Sequence, residues 1–349
     1  MSEFMDQPSV LKVGDTPLDV AILGAGNMGL KIVRALHKIP GVRIRFVYSR
    51  TFSNAEKLAL ACDAVPLDQM DPIYDESQVS VVFDCLPTFT RLSTLQKCVA
   101  SQKHVFCEKP LALNRQMAEG IRNCLSGYKQ VVTVGLVLRF FWEYVKLREM
   151  VTAGDVGQVG TIRLSRCVGF PGAGSWFAEP DKSGGVILDL LIHDLDFLRW
   201  TFGEAKTIYA KSAPKKHFDG LDYVLTSIQL ESRAIAHLEG SWAHPVGSFH
   251  QSVEICGSRG MLVYDNLASS RFHWISTANS KDEISSRITL PQIDPGNDPY
   301  LAEVQHFIQC VRDGKQPAVS WEDALRSCEL AFCVIESARS GQPVTIAMQ

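Results

Sequence analysis

Residues 19–29 read Asp19-Val20-Ala21-Ile22-Leu23-Gly24-Ala25-Gly26-Asn27-Met28-Gly29, and this stretch decides the fold of the chain. A short apolar strand runs straight into Gly-x-Gly-x-x-Gly, and residues 30–38 then carry helical periodicity. In such a strand, turn and helix the first glycine permits the tight turn and the second lets backbone N–H groups approach a pyrophosphate. The third allows the helix to pack closely on the strand. Three glycines at this spacing are weakly specific alone, but directly after a strand they predict a dinucleotide site at Gly24, Gly26, Asn27, Met28 and Gly29. A second strand, predicted over residues 43–48, ends about 20 residues past the last glycine, where these folds read the adenosine ribose. Ser49 and Arg50 stand there, with no acid. A carboxylate at this place would accept from the ribose 2'-hydroxyl and repel a 2'-phosphate, so its absence, with Ser49, Arg50 and Thr51 as donors, favours NADP(H) over NAD(H). Arg50 stacked on adenine would serve either dinucleotide.

Working outward, the alternation continues. Helices are predicted over residues 53–62, 90–102 and 114–125, and strands over 79–84, 104–108 and 130–134. Alternating strands and helices imply a doubly wound parallel sheet, a Rossmann fold. After Leu136 the grammar changes. A helix at 142–152 and a strand at 161–168 precede an apolar helix at 183–197, and strand-like runs follow at 207–210, 224–230, 234–242, 253–256, 261–264 and 271–275. Successive strands without helices between them imply a mostly antiparallel sheet, and two helices, 300–312 and 321–340, close the chain. The expected organisation is a flexible leader over 1–17, a nucleotide-binding Rossmann domain over 18–136, and an α+β domain over 137–349.

Composition narrows the partners. Lys plus Arg (35) nearly balance Asp plus Glu (38), which leaves no electrostatic footprint for nucleic acid or an anionic membrane. No apolar run approaches the ~20 residues of a membrane span, and the first residues lack a signal-peptide pattern, so the expected location is cytoplasmic. The ten cysteines are scattered without a C-x-x-C and read as reduced, buried thiols, with no metal site.

Two further segments carry chemistry. The strand at 104–108 ends in Cys107-Glu108-Lys109-Pro110, and ligands of a doubly wound fold sit beyond the carboxyl ends of its strands. Lys109 is therefore placed at the crevice, unless it is only a solvated strand-end lysine. The helix Ser183-Gly184-Gly185-Val186-Ile187-Leu188-Asp189-Leu190-Leu191-Ile192-His193-Asp194-Leu195-Asp196-Phe197 is apolar nearly all round. Asp189, His193 and Asp196 share one face at helical spacing. Buried ionisable groups need partners. Either these are core groups that satisfy each other, or they face a cavity where substrate and cofactor supply the partners.

Taken in order, Gly24-x-Gly26-x-x-Gly29, Glu108-Lys109-Pro110 and Gly184-Gly185-x-x-x-Asp189-x-x-x-His193 resemble the glucose-fructose oxidoreductase and inositol dehydrogenase family (Gfo/Idh/MocA). The closing segment, with Phe307, Gly314, Pro317, Glu322-Asp323 and Ser337, is similar to that family's end. The resemblance covers nearly the whole chain from about Leu18. It implies a Rossmann domain that binds NAD or NADP and a C-terminal domain whose large open-faced sheet closes the active site and builds homodimers or homotetramers. It also implies that Lys109, Asp189 and His193 form the catalytic set, with His193 the acid/base ahead of Lys109. Cofactor contacts are implied at Leu86, Pro87, Thr88, Glu108 and Lys109. Arg91 stands where many members have histidine after this strand, and Leu191 where a smaller residue is frequent. Arg139, Trp142 and Trp176 are candidate substrate contacts, with core or interface packing as the alternative for each.

The expected activity is hydride transfer between a nicotinamide cofactor and a secondary alcohol or ketone of a sugar, sugar derivative or cyclitol. Imidazole suits the proton transfer because its pKa lies near neutrality, and a lysine cation stabilises the developing alkoxide. Three alternatives remain open at this point: a dehydrogenase of a non-carbohydrate diol, a glycosidase that uses held NAD for transient oxidation, and a dinucleotide-sensing regulator. Retention of Lys109, Asp189 and His193 together argues against the regulator.

Overall fold

The computed structural model describes residues 17–172, 175–213, 222–269, 271–276, 287–289 and 298–346; the expected leader up to residue 16 and most of the loop 291–299 lie outside them. The first unit consists of six strands: β1 (Leu18–Leu23), β2 (Val42–Tyr48), β3 (Val65–Leu67), β4 (Val79–Asp84), β5 (His104–Cys107) and β6 (Val132–Val134). They pair in the order β3-β2-β1-β4-β5-β6, all parallel, which is the doubly wound order of a dinucleotide-binding sheet. Between the strands run α1 (Asn27–Leu36), α2 (Phe52–Leu60), α3 (Asp71–Asp75), α4 (Arg91–Ala100) and α5 (Arg115–Leu125). Val20, Ile22, Val81, Phe83, Val105 and Phe106 are wholly buried, as strands covered on both faces require.

The second unit contains α6 (Trp142–Thr152), β7 (Val159–Gly169), α7 (Pro180–Ser183), a π-turn (Ile187–Leu191) and α8 (Ile192–Phe202). After them come β8 (Ala205–Ala213), β9 (Tyr223–Leu230), β10 (Ile235–His244), β11 (Phe249–Gly257), β12 (Gly260–Asp265), β13 (Phe272–Ser276) and β14 (Arg287–Thr289). The chain ends with α9 (Pro299–Asp313), α10 (Trp321–Ser340) and β15 (Val344–Thr345). The strands form a nine-stranded sheet in the order β14-β13-β12-β11-β7-β10-β9-β8-β15, antiparallel except where β7 lies parallel to β10. One face is covered: Ile162, Leu164, Ala236 and Leu238 share a core with Leu188, Leu191, Leu195, Leu325 and Phe332. The alternate positions Tyr209, Leu225 and Ile235 look outward and are exposed.

The helix caps follow the sequence. Asn114, Asp298 and Ser320 accept from backbone N–H groups at the starts of α5, α9 and α10, and Gly314 and Gly341 end α9 and α10 in the left-handed region. Helix α9 returns to the first sheet, where Phe307 meets Phe83 edge-on at 5.5 Å and Phe106 at 5.8 Å. The expected uniform helix over 183–197 is corrected. Gly184, at φ +78°, ends α7, and a π-turn separates it from α8. Among the described residues no helix is long and apolar enough to cross a membrane.

Candidate active site

The glycine turn has the geometry its spacing predicts. Gly24 is at φ +105°, and a Cβ there would stand 2.9 Å from the Cys85 carbonyl oxygen. A Cβ on Gly29 would fall 2.0 Å from the Gly24 carbonyl oxygen, so only glycine lets α1 start this close to β1. Gly26 differs: a Cβ there would find no protein atom within 4 Å. Space above an exposed glycine at the amino end of a helix suits a pyrophosphate, which needs backbone approach and a favourable dipole. Asn27 and Arg50 are exposed, and Ser49 and Met28 half-buried.

Beyond β4, Leu86, Pro87 and Thr88 enter a 3-10 turn, and Arg91 holds that loop from beneath. Its guanidinium is fully buried; it donates to the carbonyls of Asp84 (3.0 Å), Leu86 (3.2 Å) and Glu108 (3.0 Å) and pairs with the Asp84 carboxylate. Arg91 therefore ties the carboxyl ends of β4 and β5 together and is not a nucleotide contact.

Lys109 follows β5, and its ammonium crosses to the second unit, donating to the Asp189 carbonyl at 2.6 Å and to its Oδ1 at 2.9 Å. The π-turn explains the first contact: a π-turn interrupts the i to i+4 ladder and leaves a carbonyl to find another donor. Two of the three ammonium protons are used, and the third remains for a ligand. His193, one turn on and partly exposed, makes no hydrogen bond through Nδ1, which is buried. Burial, with the positive charges of Lys109 and Arg166, pushes its pKa well below the usual imidazole range, so the ring is neutral at pH 7. No hydrogen bond joins Asp189 to His193; Asp189 is bonded to Lys109 instead. The structure instead fixes α8 through the next residue: Asp194 accepts from Arg166 of β7 at 2.6 and 3.0 Å, both groups buried.

Asp196, expected on the ligand face, points elsewhere because the π-turn shifts the phase of the helix. It pairs with Arg139 through two bonds of 2.7 and 2.9 Å, and Arg139 also binds the Ala318 carbonyl and Asp323. With all its nitrogens engaged and its side chain buried, Arg139 is a structural tie and is corrected as a substrate contact. Trp142 packs against Phe272 at 6.3 Å, and Trp176 stacks on Phe177 at 4.0 Å with Phe89 of the 3-10 turn at its edge. Of these three, only Trp176 reaches residues adjoining the candidate cofactor loop.

Glu303 was missed from sequence. Buried on α9 with Oε1 unpartnered, it lies near Glu108. Its spacing to Phe307, one helical turn, places a carboxylate on the apolar face of α9, and that signal was available.

Comparison with known proteins agrees with the two-unit fold. Residues 18–136 match the family described as an oxidoreductase family with an NAD-binding Rossmann fold, and residues 144–263 match the GFO/IDH/MocA C-terminal domain. Inositol 2-dehydrogenase 2 of Mycolicibacterium vanbaalenii is 32% identical, the alignment covering 94% of this chain and 95% of the relative. Scyllo-inositol 2-dehydrogenase (NAD(+)) of Bacillus subtilis is 26% identical, covering 93% and 95%. A crystal structure of a myo-inositol dehydrogenase from Corynebacterium glutamicum matches with a TM-score of 0.80 at 23% identity, over 95% of this chain and 100% of that one. The chain belongs to the GFO/IDH/MocA family of nicotinamide-dependent oxidoreductases.

Proposed function

We propose that this enzyme transfers hydride between NADP(H) and a secondary alcohol or ketone of a cyclitol, sugar or sugar derivative. The observation that carries the reading is the Lys109–Asp189 pair, which joins the tip of β5 to the π-turn beside a neutral imidazole. Bound nicotinamide would supply the two-electron acceptor for the hydride of the carbinol carbon. The free ammonium proton of Lys109 donates to the substrate oxygen and stabilises charge developing there. Asp189 holds that ammonium in place. His193 accepts the hydroxyl proton; Nδ1 is shut off, so Nε2 is the nitrogen left to receive it. A base held neutral at pH 7 is competent without prior deprotonation.

The cofactor unit is taken as residues 18–136 and the substrate unit as 137–349, with Trp176 offering a ring face to substrate C–H groups. Preference for NADP(H) rests on Ser49 and the exposed Arg50 at the end of β2, where no carboxylate stands. The outward face of the nine-stranded sheet, with Leu225 at 48% and Ile235 at 41% exposure, supports assembly into a dimer or tetramer, to be checked by light scattering.

The test is a panel of cyclitols, sugars, non-carbohydrate diols and their keto forms with each cofactor, followed at the absorbance of the reduced nicotinamide. Net reduction with a cyclitol or sugar is expected. Reduction only with simple diols would move the substrate class, and glycoside cleavage without net reduction would replace the reaction.

A further inference from the structure

The π-turn that carries Asp189 has to be held at both ends. N–H groups at the start of a helical segment have no partner inside it, and a π-turn interrupts the regular ladder as well. At its far end the turn is seated on bare backbone: a Cβ on Gly240 of β10 would stand 3.4 Å from the Leu191 Cβ. Its near end follows two left-handed glycines, Gly184 at φ +78° and Gly185 at φ +67°. Glycine loses more conformational freedom on folding than any other residue, so the chain itself does little to fix where the turn begins.

Two side chains supply what the glycines lack. Ser183, buried, accepts from the Gly185 N–H at 3.0 Å and donates to the Phe177 carbonyl at 3.0 Å. The next N–H, that of Val186, donates to Asp222 Oδ2 at 3.0 Å, from 36 residues further along the chain. Asp222 stands immediately before β9, and its carbonyl accepts from the Trp242 N–H of β10 at 2.7 Å. Trp242 is buried and meets Phe170 edge-on at 5.8 Å, so the backbone that aims the carboxyl group is rigid. Gly185 gives it room, since a Cβ there would stand 3.1 Å from Asp222 Oδ2. From Val186 to Asp189 is a single turn, so a displacement at Val186 reaches the carbonyl and Oδ1 of Asp189, which hold Lys109. His193 follows on the same continuous segment.

We infer that Asp222 is a positioning residue: by taking the Val186 N–H it fixes the start of the π-turn from the sheet, and so holds Asp189 against Lys109 and His193 in its place beside them. This rests on the reading above that Lys109 and His193 act on the reacting oxygen, and adds to it the group that keeps their supporting turn in register. Asp222 acts only through the turn. Lys109 and Arg166 are the cations whose charge, together with burial, keeps His193 neutral, and each is held by a carboxylate, Asp189 and Asp194 in turn. A turn released at Val186 opens His193 to water and frees Lys109 from Asp189, and the imidazole then takes a proton more readily.

The test has two readouts. In the ligand-free, histidine-labelled enzyme the imidazole resonances are followed against pH, and that of His193 is identified by its loss in His193→Asn. Asp222→Ala should raise the His193 titration by at least about 0.5 pH unit. With the cyclitol or sugar that wild type oxidises fastest, its single-turnover rate should fall on the order of 10- to 100-fold while the dissociation constant of the cofactor stays unchanged. Asp222→Asn keeps an acceptor oxygen at the same reach and should restore the titration and bring the rate within about 3-fold of wild type. If Asp222→Ala does not fold, Asp222→Ser, whose oxygen falls one bond short, provides the same comparison. A folded Ala or Ser variant with the wild-type titration and rate would overturn the inference, whatever its melting temperature. So would an Asn variant as impaired as Ala, because charge and not the hydrogen bond would then be what matters. Wild-type turnover in His193→Asn would instead overturn the acid/base reading, and the anchoring of the turn would be decided by the titration alone.

Discussion

Lys109→Met removes the cation that joins the two units across the active site. The Lys109 ammonium lies 2.9 Å from Asp189 Oδ1, with the two side chains 18% and 17% exposed. At an effective dielectric of about 20 the gross attraction at that distance is roughly 6 kcal/mol, most of it offset by desolvation. Breaking one partner of a fully buried pair costs about 3–5 kcal/mol; residual exposure here lowers the expectation to about 2–3 kcal/mol. Asp189 is then left without its cation. Lys109→Met combined with Asp189→Asn removes both charges and should recover about half of the loss, a coupling that a double-mutant cycle isolates. Urea denaturation of the four proteins, with unchanged slope, supplies the numbers. Lys109 is also one of the charges that lowers the pKa of His193, so Lys109→Met should move the imidazole resonance titration upward. If the single variant lies within about 0.5 kcal/mol of wild type and the double variant is no better, the pair does not join the units.

Other expectations follow from separate parts of the site. Gly26→Ala should melt like wild type, because its Cβ meets no protein atom, yet bind dinucleotide at least about 10-fold more weakly; Gly29→Ala, whose Cβ would collide with the Gly24 carbonyl, should fail in both. Equal affinity in Gly26→Ala would remove the pyrophosphate from that turn. Arg50→Ala should weaken NADP(H) far more than NAD(H), as competitive titrations would show; similar losses for both would make Arg50 a stacking residue. The pH dependence of stability has a defined sign. His193 resists protonation when folded, so it contributes nothing above pH ~6.5, and below it the unfolded chain binds protons that the folded chain refuses, costing up to about 1.4 kcal/mol per pH unit. Melting temperature should therefore fall more steeply from pH 7 to 5 in wild type than in His193→Asn. Parallel curves would contradict the lowered pKa, and the difference between the two proteins cancels buried carboxyls that titrate the other way.

What was legible in the sequence was local. Gly24, Gly26 and Gly29 act within one turn, and the alternation of apolar residues in β9 and β10 marks a sheet with one covered face, so both units could be read from spacing. Strand β3 was missed because Val65-Pro66-Leu67 is short and carries a proline, and it lies at the edge of the sheet. Asp189 and His193 were placed near Lys109 by resemblance, but the π-turn was not legible, since it depends on how Gly184 ends α7 and on a lysine 80 residues away. Phase lost in that turn is why Asp196 meets Arg139 and leaves the cleft. The structural roles of Arg91 and Arg139 were not legible either. A buried guanidinium is costly without partners, and theirs are carbonyls and carboxylates on other elements, which neighbours in sequence do not reveal.

The central claim is that His193 takes the proton while Lys109, held by Asp189, stabilises the oxygen, and single-turnover reduction of the cofactor tests it most directly. With substrate and cofactor saturating, the rate is read in wild type and in His193→Asn, beside the dissociation constant of the cofactor. The account predicts a rate lower by on the order of 10²- to 10⁴-fold with cofactor affinity unchanged. A variant that reduces the cofactor at the wild-type rate would contradict it and pass the role of base to Lys109.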